Sequence, residues 1–250
     1  MASLVAGLAT VLGALPILKM GRPTAEQQNL LLGLAAGVML AASFFSLIIP
    51  GIAQAQDLGA GRVVASAIVA VAVLLGAATQ TQLNRIVPWL GTKFVTIKGA
   101  DARSARVLLF VAAITLHNFP EGMAVGVSFA GGDVGAGLTT ALGIGVQNIP
   151  EGLAVAGAVA SVGYSPRASV LAALGSALVE PIGGLFGVAL VTIAQSLLPW
   201  GLGFAAGAMI YIVASEIIPQ THARIVCGGR ATTGLMIGLA AMMFLDTTMG

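Results

Sequence analysis

Two short segments of the chain each place a carboxylate directly after a proline inside apolar sequence. They are LHNFPEGMAVG, residues 116–126, and VQNIPEGLAVAG, residues 146–157. On a helix, His117 and Glu121 are four residues apart and share a face, and Asn118 lies three residues before Glu121. The second segment repeats the arrangement with Gln147, Asn148 and Glu151.

Each of these prolines also interrupts the hydrogen bonding of its helix. Pro120 has no N–H to donate to the carbonyl of Leu116, and Pro150 likewise frees the carbonyl of Val146. Within a membrane, such a kink is tolerated only where it faces protein or a water-filled cavity. The glycine after each glutamate leaves room for another helix to approach closely.

This set of ligands favours a divalent transition metal. Imidazole and carboxylate groups bind zinc, iron and similar ions. Copper(I) would need a thiolate, and the single cysteine, Cys227, falls in a loop. A calcium or magnesium site made of oxygens would make little use of His117, and a proton relay would not need the amides.

The composition indicates a membrane protein. Of the 250 residues, 58% are hydrophobic and 8% are charged, whereas soluble domains carry about 25% charged residues. The mean hydropathy is +1.01. The net charge of +2 reflects the loops and gives no reason to expect nucleic acid as a partner. One cysteine excludes an internal disulfide framework.

Apolar segments long enough to cross a bilayer as helices predict an all-α polytopic protein with eight transmembrane helices. The predicted spans are 2–19, 29–52, 61–81, 106–129, 136–161, 168–194, 201–219 and 231–249. The sixth span is long and is predicted to be broken by Pro181 and the glycine pair at 183–184. The one long connection is 82–105, between spans three and four.

The basic residues predict the orientation. Ten of the eleven Lys and Arg residues fall on one side of the eight-span arrangement, and only Arg62 falls on the other. Positive charge accumulates on the cytoplasmic side of membrane proteins. The connection 82–105 is therefore predicted to be cytoplasmic, and both termini are predicted to face outward, across the cell (inner) membrane.

Four acids lie within apolar spans: Glu121, Glu151, Glu180 and Glu216. Each ionised acid at the centre of a helix costs about 3 kcal/mol on insertion, which indicates a function for this group. Glu216 is near the end of its span, where snorkelling to the interface is an equal alternative. His222 either receives an outgoing ion or is an ordinary loop residue, and Asp246 either attracts cations at the outer face or ends a helix.

A weaker repeat links AAGVMLAASFFSLIIP, residues 35–50, with AAGAMIYIVASEIIP, residues 205–219. These segments lie in spans two and seven, so they cross the membrane in opposite directions. Inverted repeats around broken helices with a site at the middle of the membrane are typical of alternating-access transporters. The predicted arrangement is 3+2+3, with the two P-E-G spans in the centre.

The paired motifs HNFPEG and QNIPEG resemble the signature of the ZIP (Zrt/Irt-like) metal transporters. The resemblance extends to GALPIL at 13–18, VEPIGG at 179–184 and the two segments of the weaker repeat, and is strongest to the bacterial GufA-like group. It implies an eight-helix fold and import of Zn2+, often also Cd2+, Fe2+ or Mn2+, into the cytoplasm. It also implies, in many members, a homodimer.

The resemblance also assigns site residues. The first metal site would comprise His117, Glu121, Gln147 and Glu151, with Met39 beside it. The second would comprise Asn118, Glu121, Asn148, Glu151 and Glu180, with Glu121 and Glu151 bridging two ions. The connection 82–105 departs from many relatives because it contains no histidine, and position 148 is asparagine where some relatives have aspartate.

Two other functions are compatible with parts of this pattern. A passive metal channel would need the same ligands, since the sequence contains a site but no signature of gating. An intramembrane metallohydrolase would also place His and Glu four residues apart, but it needs a general base and an open water position. Bridging carboxylates leave no free base, so the chain is predicted not to be an enzyme.

Overall fold

The computed structural model describes residues 1–20, 24–94, 102–219 and 228–249, which contain helices and no strands. Prolines and π-helical turns divide several of the membrane-crossing segments. The helices are α1 (Ala2–Ala14), α2 (Ile17–Met20), α3 (Ala25–Ala42), α4 (Ile49–Asp57), α5 (Arg62–Phe94), α6 (Ala102–Ala130), α7 (Val134–Ser161), α8 (Pro166–Ala177), α9 (Val179–Ile193), α10 (Leu198–Ile212) and α11 (Gly228–Met249).

Two of the breaks follow directly from proline. Pro16 separates α1 from α2, since it lacks the N–H that would continue the helix. The sixth predicted span divides at Leu178, between α8 and α9. Pro181 follows three residues later, and it cannot donate to the carbonyl of Ala177. The break in this span therefore lies just before the proline and not at the glycine pair.

Two π-helical turns occur at matching places in the weaker repeat. One is Ser43–Ile48, which joins α3 to α4, and the other is Val213–Ile217, which follows α10. A π-helical turn accommodates an extra residue within a helix and often marks a functional site. The two repeated segments thus share a backbone irregularity in addition to their sequence similarity.

Six of the eight predicted spans are helices that are long and apolar enough to cross a membrane, among the described residues. They are Ala2–Lys19, Asn29–Asp57, Arg62–Leu83, Pro166–Ile193, Gln195–Ser215 and Gly229–Thr248. The other two predicted spans correspond to α6 and α7, whose lengths of 29 and 28 residues are sufficient. Length and composition therefore support six spans among the described residues, and a multi-pass membrane protein.

The connection predicted at 82–105 contains more helix than expected. Helix α5 continues to Phe94 and α6 begins at Ala102, so only the residues between them lie outside the described part. The candidate membrane span within α5 is Arg62–Leu83. A helix satisfies its own backbone hydrogen bonds, and it can therefore continue from the membrane into water without a turn.

Glycines allow the helices to pack in four close pairs: α1 with α7, α3 with α11, α5 with α10 and α6 with α9. A methyl group at Gly37 would overlap the carbonyl oxygen of Leu235, and one at Gly207 would overlap that of Val73. Membrane helices associate through this kind of close packing between small residues. The main apolar cluster lies between α3, α6, α7 and α10 and includes Met39, Met123 and Met209.

Candidate metal site

The two P-E-G motifs lie in the middle of α6 and α7, with Pro120 and Pro150 inside the helices. Glu121 and Glu151 follow these prolines, and no more than 2% of either residue is exposed. Helices α6 and α7 pack against each other. The structure thus brings the two glutamates of the repeat into the same buried region.

A hydrogen bond between side chains connects the two motifs. Nε2 of Gln147 donates to Oε1 of Glu121, and both residues are fully buried. This contact joins α7 to α6 directly at the predicted site. Gln147 therefore contacts Glu121, with which it was grouped in the predicted first metal site.

Asn148 connects α7 to two further helices. Its Nδ2 donates to Oε1 of Glu180 at 2.7 Å and to the carbonyl oxygen of Ala6 at 2.9 Å. Glu180 lies in the first turn of α9, immediately after the break at Leu178, and is fully buried. The break therefore positions a third carboxylate beside the motif of α7, at the sixth-span position that the resemblance predicted.

Asn118 makes the corresponding contact from α6. Its Nδ2 donates to Oγ of Ser176 at 3.0 Å, at the end of α8. Neither Ser176 nor the carbonyl of Ala6 was among the residues predicted for the site. A buried serine in an apolar span was the available signal for Ser176, whereas nothing in a sequence distinguishes one backbone carbonyl from another.

Several buried oxygens of the site have no hydrogen-bond donor within the described residues. They are Oδ1 of Asn118, Oε1 of Gln147, Oδ1 of Asn148 and Oε2 of Glu180. Leaving a buried acceptor without a partner costs about 1–3 kcal/mol. A cation bound among these atoms would satisfy them, because amide and carboxylate oxygens are suitable ligands for divalent ions. The donor set of the structure therefore fits a divalent cation.

The remaining predicted ligands are less well placed by the structure. His117 lies in α6, one turn before Glu121, but its side chain is outside the described residues. Among the described side chains, no three His, Cys, Asp or Glu groups stand together as a ready metal-binding set. Met39 is fully buried in the apolar cluster, next to the site helices rather than in the hydrogen-bonded network.

Asp246 has a specific partner on another helix. Its two carboxylate oxygens accept from Oγ of Ser46 at 2.9 and 2.8 Å, which joins α11 to the π-helical turn after α3. It therefore does more than end a helix. His222 and Cys227 lie outside the described residues, as does the side chain of Glu216.

Comparisons with known proteins identify the family of the chain. The family profile described as "ZIP Zinc transporter" matches residues 96–246. The chain is 43% identical over 256 residues to "Zinc transporter GufA" of Myxococcus xanthus, covering 100% of this chain and 98% of that protein. It is 46% identical over 242 residues to "Zinc transporter ZIPB" of Bordetella bronchiseptica, covering 97% and 78%. It is 31% identical over 248 residues to "Zinc transporter ZupT" of Corynebacterium aurimucosum, covering 96% and 92%.

Proposed function

Because the chain belongs to the ZIP family of zinc transporters, we propose that it carries zinc across the cell membrane into the cytoplasm. The ion would bind between α6, α7 and the junction of α8 with α9. The members of this family are transporters, and the chain is not an enzyme. Cadmium, iron(II) and manganese(II) are further candidate substrates, since the same oxygen and nitrogen ligands bind them.

The observation that carries this proposal is the cluster of buried polar groups around Glu121, Glu151 and Glu180. All three glutamates are at most 2% exposed, in helices that the proposal places within the membrane. Acids at this depth are costly unless they are paired or bind ions. Within the described part of the chain, Oδ1 of Asn118, Oε1 of Gln147, Oδ1 of Asn148 and Oε2 of Glu180 are buried acceptors without a hydrogen-bond donor, and a bound cation requires such acceptors.

The amides would change partners when an ion binds. Gln147 and Asn148 now turn their N–H groups toward Glu121 and Glu180. To coordinate a cation, each amide must present its carbonyl oxygen to the ion. Each amide would exchange its hydrogen bond for a metal contact, so that Glu121 and Glu180 would keep a partner when zinc binds.

We extend the proposal to an eight-span, 3+2+3 architecture with inverted repeats. The four close helix pairs support it. When span one is exchanged with six, two with seven, three with eight and four with five, each close pair becomes another of the four. The glycine contacts run in parallel: Gly122 and Gly126 meet the carbonyls of Glu180 and Gly184. Parallel packing is expected for spans separated by an even number of crossings, as all four pairs are.

The direction of transport rests on the positive-inside bias of the sequence. An ion pair between Arg230 and Glu26, at 2.9 Å, joins the start of α11 to the start of α3. Both helices therefore begin on the same side, which is the predicted cytoplasmic side. Both termini of the chain would then face outward. A homodimer is a further expectation from the resemblance.

The test is uptake of radioactive zinc by sealed proteoliposomes that contain the purified protein. Glu121→Ala and Glu151→Ala should each abolish uptake, since each removes a ligand shared by both parts of the site. Glu26→Ala is a matched control, because Glu26 is 50% exposed and forms a surface ion pair. Near-normal uptake by folded Glu121→Ala and Glu151→Ala proteins would disprove the site.

The same preparation distinguishes a carrier from a passive channel. A carrier should saturate with zinc, and unlabelled zinc inside the vesicles should accelerate entry of labelled zinc. A channel should show no such acceleration by exchange. We expect the carrier result, because inverted repeats around a site in broken helices are typical of alternating-access transporters.

A further inference from the structure

The close packing at the first P-E-G motif is repeated at the second. A methyl group at Gly122 would overlap the carbonyl oxygen of Glu180, and one at Gly152 would overlap the carbonyl oxygen of Thr10. Gly122 and Gly152 are the glycines of the two motifs. Thr10 in α1 therefore stands beside the second motif as Glu180 in α9 stands beside the first.

The asparagines of the motifs give independent support for this correspondence. Asn118 donates to the side chain of Ser176, and Asn148 donates to the backbone of Ala6. Ser176 lies four residues before Glu180, and Ala6 lies four residues before Thr10. Two separate contacts, four residues apart in each case, thus make α1 the counterpart of the α8–α9 segment.

The two halves differ in one respect. Asn148 also reaches the carboxylate of Glu180, and the corresponding contact would be between Asn118 and Thr10. Threonine is shorter than glutamate. Oγ1 of Thr10 and Oδ1 of Asn118 are fully buried and have no hydrogen-bond partner within the described residues. Helix α1 packs against α6, so the two residues lie on neighbouring helices.

The absence of a local bond at Thr10 is unusual for this chain. Nine other threonines donate to the carbonyl four residues earlier: Thr79, Thr81, Thr115, Thr139, Thr140, Thr192, Thr233, Thr247 and Thr248. For Thr10 that carbonyl belongs to Ala6, which accepts from Asn148 instead. The hydroxyl of Thr10 is therefore left for another partner.

We propose that Thr10 is an additional ligand of the transported cation, which it would bind together with Oδ1 of Asn118. These two oxygens form a neutral half-site, and Asn148 with Glu180 forms its acidic counterpart. The inference rests on the proposed function, because it assumes that a divalent cation occupies this region. Neutral oxygens hold a cation less strongly than carboxylates do, and conduction requires sites from which an ion can leave.

The experiment compares Thr10→Val, Thr10→Ser and Thr139→Val by zinc titration of the purified protein and by zinc uptake in proteoliposomes. Valine has the shape of threonine without the hydroxyl, so Thr10→Val should weaken zinc binding about three- to tenfold, as expected for one lost contact. Thr10→Ser keeps the hydroxyl and should bind zinc as the unaltered protein does. Thr139 is the matched control, because it is buried and its hydroxyl bonds to Gly135.

Thermal unfolding without metal separates this role from a structural one. Removing a buried hydroxyl that has no partner should leave the unfolding temperature unchanged or raise it. Lower zinc affinity without lower stability is therefore the expected result.

Equal zinc affinity in Thr10→Val and the unaltered protein would overturn the inference. So would loss of folding in both Thr10→Val and Thr10→Ala, since the hydroxyl would then be structural. Failure of the unaltered protein to bind zinc at all would instead disprove the proposed function.

Discussion

The side-chain amide of Asn148 donates to the carboxylate of Glu180 at 2.7 Å and thereby connects α7 to the first turn of α9. An uncharged group thus stabilises a fully buried acid. The same two residues are predicted ligands of the second ion. Binding of the ion by both residues, as predicted, would replace this hydrogen bond with metal contacts.

Replacement of Asn148 by aspartate should make stability depend on zinc. Aspartate cannot donate, so Asn148→Asp leaves Glu180 and the carbonyl of Ala6 without their donor. We expect a loss of about 1–3 kcal/mol for each acceptor in the absence of metal. Zinc should restore the stability, because a fourth carboxylate balances the charge of two ions.

Thermal unfolding and zinc titration of Asn148→Asp, with and without zinc, check this expectation. The stabilisation by zinc should exceed that of the unaltered protein, and the second ion should bind more tightly. Unchanged affinity and stoichiometry in a folded variant would mean that residue 148 does not face the metal.

The substitution Gly122→Ala should displace the predicted ligand Glu180 while leaving the side chains of all predicted ligands unchanged. The added methyl group would overlap the backbone carbonyl of Glu180, so Gly122→Ala should move α9 away from α6 and reduce zinc uptake. Overpacking of this kind costs about 1–3 kcal/mol. The measurements are uptake in proteoliposomes and thermal unfolding.

Gly175→Ala is the matched control for Gly122→Ala. Gly175 also lies in a helix, in α8, but no atom lies within 4 Å of the position of its added methyl. We expect normal uptake and a change in stability of no more than about 1 kcal/mol. Equal behaviour of the two variants would contradict the importance of the close contact between α6 and α9.

His117→Ala should reduce zinc uptake more than about tenfold, the scale on which metal sites respond to the loss of supporting groups. The backbone of α6 places His117 one turn before Glu121, on the same face. His222→Ala is the comparison, since His222 is the only other histidine and lies in a predicted loop. Normal uptake by folded His117→Ala would remove the imidazole from the predicted site.

Labelling with an impermeant thiol reagent tests the orientation in a Cys227→Ser background. Arg85→Cys should be protected in intact cells, because Arg85 is exposed on α5 just beyond its apolar part. Val134→Cys should react, because Val134 is 62% exposed at the start of α7. This is the end of α7 that is predicted to face outward. Reaction of Arg85→Cys from outside would reverse the orientation and with it the direction of transport.

The sequence by itself determined the membrane class and the helical content, and it predicted the central ligands. Apolar length and the scarcity of charge are enough for the first two, since a bilayer admits few backbone structures. The spacing of Asn118, Glu121, Asn148 and Glu151 placed them in two proline-containing helices because helical periodicity is local. The family followed from the paired motif.

Only the tertiary structure decided which side chains meet. Glu180 reaches Asn148 because the break at Leu178 and close glycine packing bring α9 against α6. The carbonyl of Ala6, the hydroxyl of Ser176 and the unsatisfied Thr10 belong to helices distant in sequence. Contacts between such helices depend on crossing geometry and on backbone atoms that every residue shares, so no local pattern in the sequence specifies them.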